Sequence, residues 1–365
     1  MNENEKKIRQ LQLKLEQKII KKGKGNRPIN YKLEKIISSD LFEKKNNENK
    51  SACIFNSYED DNIYIVYGIK TFDLECYDIK NEKKFIIIKK LHEDYFYSCR
   101  HFLNEKKQQD LIITSSLDRH VKVTNFKKEK SEIIIDIKID KNEKPINTAY
   151  FMYDYILVPF SDDSEGTVQY YSMDSKLIGI FEDKFGFILS LTAYKCEKRN
   201  QNFVLISNKK GIISYLIEGS YIFQKYFPDD SSEEIKDENG FSEAYVIENK
   251  DKNEDNLILV GPSFNQGLYF WDFNDGDLIY KMDIMGINNI CLWNNDFILA
   301  SINKSDLCEF ILIDANNKRI SKKIGDGMKD QYRCGIQLLR KLSKENFLIS
   351  FSNKGELKLY SLESK

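Results

Sequence analysis

The sequence predicts an all-β fold: a seven-bladed β-propeller of four-stranded antiparallel blades, with a short N-terminal helical extension. Three observations predict it. A strand-and-turn unit repeats along the chain. Within each unit, continuous apolar runs precede alternating ones. The last unit ends one strand short, while a spare strand precedes the first.

The repeat is clearest from Leu257 to Met282. There an apolar run, a turn, a run ending in Trp271-Asp272, the turn Asn274-Asp275-Gly276 and a third run follow one another. The pairs equivalent to Trp271-Asp272 are Tyr77-Asp78, Thr124-Asn125, Tyr171-Ser172, Leu216-Ile217, Ile313-Asp314 and Tyr360-Ser361. Successive gaps along the chain are 47, 47, 45, 55, 42 and 47 residues, the spacing of four-stranded propeller blades. The longest gap holds an acidic stretch, residues 229–240, read as an inserted surface loop or a docking site for a basic partner.

Taken in order, residues 1–28 stand apart. Nine Lys and Arg face three Glu, giving +6 against −7 for the rest of a chain whose net charge is −1. Ile8, Leu11, Leu15 and Ile19 lie on one helical face, and Gly23, Gly25 and Pro28 end the pattern. Two readings stay open for residues 6–22: a helical linker or tail, or a basic amphipathic helix for a partner helix or an anionic surface. From residue 29 the chain is one domain, 29–365. The run 29–37 (INYKLEKII) is expected to complete the last blade, tying the termini together and removing exposed edges. Second strands at 63–66, 111–113, 257–260 and 347–349 are continuously apolar, as for strands buried on both faces between blades. Third strands alternate, with Val121 and Val123 against Lys122 and Leu357 and Leu359 against Lys358.

Composition narrows the function classes. Charged residues make up 31% yet nearly cancel, so no global field draws the chain to nucleic acid or membrane. The Lys-rich turns are scattered and offset by acids, which argues against a nucleic-acid face. No apolar run approaches the roughly 18 residues of a membrane span. Seven widely spaced cysteines without a CxxC read as reduced, buried small hydrophobes, and the N-terminus has no apolar signal region. Both features suggest a cytoplasmic protein, in the cytosol or associated with the cytoskeleton.

The second unit, LHEDYFYSCRHF…DLIITSSLDRHVKVTNF, resembles the WD40 repeat: a His before the first strand, a Ser-rich second strand, a turn Asp and an alternating third strand. The resemblance implies that His92, Ser115 or Ser116, and Asp118 match three members of that family's structural hydrogen-bond tetrad. Thr124 stands where the family has Trp. Trp271-Asp272 is the one true Trp-Asp pair among the seven units. The resemblance implies a protein-binding scaffold.

No catalytic constellation or cofactor site is legible. The three histidines, His92, His101 and His120, lie at spacings of 9 and 19 on strand and turn positions, unlike a metal-ligand set. Asp162-Asp163-Ser164-Glu165-Gly166 reads as a turn rather than a calcium loop. The nucleophile-elbow, dinucleotide, phosphate-loop and zinc-protease motifs are absent.

In the resembling family, partners dock on the face made by second-to-third-strand turns and by loops leading into each first strand. The loops bring Tyr95, Phe96, Phe185, Phe241, Tyr332 and Arg333 to that face; the turns bring Arg119, Lys209, Phe264, Gln266, Lys304 and Lys354. Aromatic and Arg side chains of this kind dominate many interfaces, although several of these aromatics could instead pack between blades. The expected function is a non-enzymatic scaffold, a subunit or adaptor in a larger assembly. The alternative is a regulatory or targeting module of an enzyme, such as a kinase, whose catalytic domain lies outside this chain.

Overall fold

A computed structural model describes residues 31–41, 51–139, 148–152, 155–161, 166–181, 185–228, 240–248, 257–294, 296–304, 307–324, 334–340, 346–352 and 355–362. The expected helix over residues 1–28 and the acidic stretch, apart from Gly240, lie outside them.

The described chain is all strand, in seven four-stranded antiparallel sheets arranged as a propeller ring. Strand β1 (Tyr31–Ser38) comes first and is set apart in sequence from the sheet it joins. Blade 1 is β2 (Ala52–Asn56), β3 (Ile63–Gly68), β4 (Leu74–Asp78) and β5 (Lys83–Ile88). Blade 2 is β6 (Phe96–Asn104), β7 (Gln109–Ser116), β8 (His120–Phe126) and β9 (Glu132–Lys138). Blade 3 is β10 (Tyr150–Met152), β11 (Tyr155–Ser161), β12 (Gly166–Ser172) and β13 (Leu177–Ile180). Blade 4 is β14 (Ile188–Cys196), β15 (Gln201–Asn208), β16 (Ile212–Leu216) and β17 (Tyr221–Tyr226). Blade 5 is β18 (Tyr245–Glu248), β19 (Leu257–Ser263), β20 (Gly267–Asp272) and β21 (Leu278–Met282). Blade 6 is β22 (Ile287–Leu292), β23 (Phe297–Lys304), β24 (Leu307–Asp314) and β25 (Arg319–Ile324). Blade 7 is β26 (Cys334–Arg340), β27 (Asn346–Ser352), β28 (Leu357–Leu362) and, as its outer strand, β1.

Strand β1 runs antiparallel to β28 with Tyr31 opposite Leu362 and Ile36 opposite Lys358. Pairing the start of the ring with its end closes the circle through backbone hydrogen bonds and removes an edge. The buried Tyr31 ring meets Trp293 of blade 6 edge-on at 6.3 Å, so this strand also packs against the neighbouring blade.

The first strands of successive blades adjoin one another around the centre, β2 against β6 and β26, and β14 against β10 and β18. The outer strands face solvent, as the exposed apolar side chains of Ile133, Leu177 and Tyr221 show. The second strands β3, β7 and β19 are buried throughout or nearly so, because each face meets an adjacent blade. Cores therefore lie between blades. One gathers Phe203, Leu205, Tyr226 and Trp271 between blades 4 and 5. Side chains of this size contribute about 1.5–3 kcal/mol each when fully buried.

Six cysteines, Cys53, Cys76, Cys99, Cys196, Cys291 and Cys308, are buried and free. Cys53 and Cys99 meet across blades 1 and 2 with sulfurs 3.7 Å apart. Burial pushes the Cys76 and Cys99 thiols well above their ordinary values, which keeps them protonated and unreactive.

Candidate functional site

The turns joining second to third strands and the loops leading into first strands share one side of the ring, called here the upper face. Tyr95 accepts a backbone hydrogen bond from Leu117 in the turn of its own blade, which locks the two kinds of segment together. The lower face carries the turns between first and second strands and those between third and fourth.

On the upper face of blade 2, His92 is the centre of a buried chain. Its Nδ1 lies 2.9 Å from Asp118 Oδ2 and its Nε2 lies 2.9 Å from Thr114 Oγ1. A neutral imidazole fits both bonds, with Nδ1–H donating to the carboxylate and Nε2 accepting from the Thr114 hydroxyl. Burial pulls His92 below its ordinary value, against the raising influence of Asp118. Burial would raise Asp118, but bonds from His92 and from the backbone N–H groups of Glu93 and His120 outweigh it and hold the carboxyl well below the usual range. Ser116 takes no part in the His92 chain. Its hydroxyl donates to Asp94 O at 3.0 Å and accepts from Asp118 N–H at 3.2 Å. Thr114 occupies the role that the sequence assigned to Ser115 or Ser116. Ser115 instead meets Ser98 at 2.7 Å.

The other pair from the tetrad reasoning is in blade 5. Trp271 is fully buried, stacks on Tyr269 at 5.3 Å and donates Nε1–H to Phe227 O at 2.9 Å. Asp272 caps the following turn, accepting from Asn274 N–H at 2.8 Å and Asp275 N–H at 3.2 Å. Both residues build the blade and its turn.

Of the residues proposed to face a partner, the structure exposes some and buries others. Tyr95 is 48% exposed. Arg119 holds a left-handed turn position at φ 70° and is half-buried. Lys209 is exposed, with its ammonium 5.1 Å from the Phe187 ring centre. Phe264 and Gln266 are half-buried in one turn, and the Gln266 side chain accepts from the Tyr269 hydroxyl at 2.9 Å. Phe185, Phe241 and Phe96 are buried instead. Phe185 lies edge-on to Phe181 and Tyr215, and Phe241 packs beside Tyr269 and Trp271. An aromatic ring in these loops gains more by filling the gap between blades than by facing water. Lys304 is placed only as backbone within β23, and Tyr332, Arg333 and Lys354 lie outside the described residues.

Two exposed apolar side chains on the same face escaped the sequence reading. Phe227 (43% exposed) follows β17, and Met285 (60% exposed) precedes β22. Position in the repeat would have found them, since both lie in loops leading into first strands.

The histidines do not converge. His101 Nε2 lies 2.8 Å from Asp110 Oδ1 and His120 Nδ1 lies 2.6 Å from Asp136 Oδ1, separate from the His92 chain. Asp110 also accepts from Ser57 Oγ at 3.0 Å and Tyr58 N–H at 2.6 Å. The Ser57 hydroxyl therefore donates to the carboxylate, not to the imidazole, and the trio ties blades 1 and 2 together without activating a nucleophile. Among the described residues, no group of three or more His, Cys, Asp or Glu is arranged to hold a metal.

One cluster was invisible in the sequence. Arg100 of blade 2 reaches Glu243, just ahead of blade 5, with Nη1 3.0 Å from Oε1. Blades 2 and 5 lie on opposite sides of a seven-membered ring, so the pair crosses the central channel. Arg100 Nη2 also donates to Thr148 Oγ1 at 3.3 Å, and the guanidinium lies over the Tyr150 ring at 4.7 Å. Burial alone would lower the Arg100 pKa, and the Glu243 carboxylate reverses this to a net rise. Burial also raises Tyr150 and Tyr245, so both phenols stay protonated beside the pair.

Among the described residues, no helix is long and apolar enough to cross a membrane. No protein-family model matches the sequence, and no curated protein matches it. Among solved structures, a chain of the crystal structure of the mitotic checkpoint complex is similar. It has a TM-score of 0.63 and 8% sequence identity, and the alignment covers 93% of this chain and 94% of that one. At that identity the similarity is one of fold, and it extends over essentially the whole ring.

Proposed function

We propose that this chain is a non-enzymatic protein–protein interaction scaffold, a subunit or adaptor in a larger cytoplasmic assembly, and that partners dock on the upper face. One observation carries the reading. Tyr95, Phe227 and Met285 expose apolar side chains on loops leading into blades 2, 5 and 6, on one side of a ring closed by β1, with the cations Arg119 and Lys209 on turns of that side. Aromatic and Met side chains beside Arg are typical interface anchors. A rigid ring presents them with little loss of conformational entropy on binding. A similarly folded chain occurs in a multi-protein complex, which agrees with this role.

The test is affinity purification of the full chain from its native cell, comparing wild type with Tyr95→Ala/Phe227→Ala/Met285→Ala. The variant is expected to lose at least one stable partner while keeping its far-ultraviolet dichroism. Retention of every partner would place the binding surface elsewhere.

A further inference from the structure

The lower face carries a second feature, unrelated to the anchors above. Between blades 1 and 2 lies a cavity of about 350 Å³, half open to solvent, near the small end of the range for ligand sites (~300–1,000 Å³). Its floor is fixed. Tyr58 and Phe126 are buried, and Asp110 is held by Ser57, the Tyr58 N–H and His101. With three donors already on it, Asp110 has little capacity left to attract a ligand cation.

The rim is of a different kind. Lys107, Gln108 and Lys127 line it from two turns of blade 2, and Glu59 lines it from blade 1. Neither lysine makes an ion pair within the described residues, although acids abound on this face. Lys128 is committed to Asp78 at 3.0 Å and lies 6.0 Å from the Tyr64 ring centre. Lys127 is left at the cavity. The uncommitted charges facing a ligand are thus two cations on one wall and one carboxylate on the other.

We infer that this cavity binds a short acidic peptide segment of a partner protein. An Asp or Glu side chain of the segment would pair with Lys107 and Lys127. The neighbouring amide side chains would bond its backbone, and an apolar neighbour would rest on Tyr58 and Phe126. Charge complementarity selects the acid, and the half-open shape selects a segment lying across the cavity over a small molecule sealed inside it.

The experiment pans a phage-displayed random heptapeptide library against the full chain, after depletion on Lys107→Glu/Lys127→Glu. Both lysines are exposed, so the double variant should keep its fold, checked by circular dichroism. The expected result is enrichment of peptides carrying Asp or Glu. Their binding should fall at least roughly tenfold in the double variant, weaken with salt, and stay unchanged in the triple upper-face variant. Failure to enrich any peptide, or enrichment of sequences without acids, would overturn the inference. So would glutarate binding as tightly as the selected peptide, which would assign the cavity to a free dicarboxylate. Loss of the selected peptide in the upper-face variant alone would refute the lower-face site and leave the upper-face reading standing.

Discussion

Replacing Glu243 by Gln removes one charge from the ion pair that spans the ring and leaves the shape of the side chain nearly intact. The Arg100 and Glu243 side chains are only 11% and 7% exposed, so solvent screens the remaining guanidinium poorly. Breaking a buried pair by deleting one partner typically costs about 3–5 kcal/mol, mostly from the stranded charge. Here part of that is recovered. Thr148 and the Tyr150 ring still engage Arg100, and a cation over a ring recovers roughly 0.5–2 kcal/mol. The expected destabilisation is therefore about 2–4 kcal/mol. Replacing both residues, Arg100→Met with Glu243→Met, should cost much less than Glu243→Gln alone, because no charge is left buried. Urea unfolding read by fluorescence of the two tryptophans measures these proteins, with the single variants Arg100→Met and Glu243→Met completing the double-mutant cycle. A Glu243→Gln loss under about 0.5 kcal/mol, or a coupling near zero, would refute the claim that the pair braces the ring across its channel.

Two further outcomes follow from local geometry. His92 is held below its ordinary value of 6.5 by burial. The unfolded chain therefore takes up a proton that the folded chain refuses, and stability should be full above about pH 7 and fall as pH drops through 6.5. Asp118, held low, adds stability that persists above the unfolded carboxylate value near 4 and is lost below it. Urea midpoints measured from pH 8 to pH 5 should show this loss in wild type and a smaller one in His92→Gln; equal slopes would refute the assignment. Gly267 adopts φ 113°, and a Cβ there would sit 2.2 Å from Met282 O, whereas Gly186 at φ 71° has open space around it. Gly267→Ala should cost about 3 kcal/mol, and Gly186→Ala only about 1 kcal/mol. Thermal melts that rank the two in reverse would contradict the turn geometry.

Legibility in the sequence followed the range of the interaction. The repeat spacing is a local property counted over seven units, and it carried the blade number. His92 and Asp118 lie within one blade, and the order of loop, strand and turn was enough to bring them together. The hydroxyl partner was not separable in this way. Thr114 and Ser116 are two residues apart on β7 and so project on the same face. Only the depth of His92 within the blade selects Thr114.

The upper-face aromatics show a second limit. Position in the repeat placed Tyr95, Phe185 and Phe241 in equivalent loops, yet the first is half exposed and the others are buried. What separates them is whether aromatic partners lie within reach of the ring, which position in the repeat does not encode. Phe185 finds Phe181 after the last strand of blade 3 and Tyr215 of blade 4, and Phe241 finds Tyr269 and Trp271 of blade 5.

The sequence by itself determined the β architecture, the seven-fold count and the strand-like run ahead of the first unit, because alternation, apolar runs and turn residues are written within tens of residues. Tertiary structure alone decided which polar groups meet. Arg100 and Glu243 stand 143 residues apart, and neither position has any feature that marks it as a partner of the other. Only closure of the ring, with β1 beside β28, brings opposite blades within hydrogen-bond reach. The cavity between blades 1 and 2 arises the same way, from one turn of blade 1 and two of blade 2 that are neighbours in space.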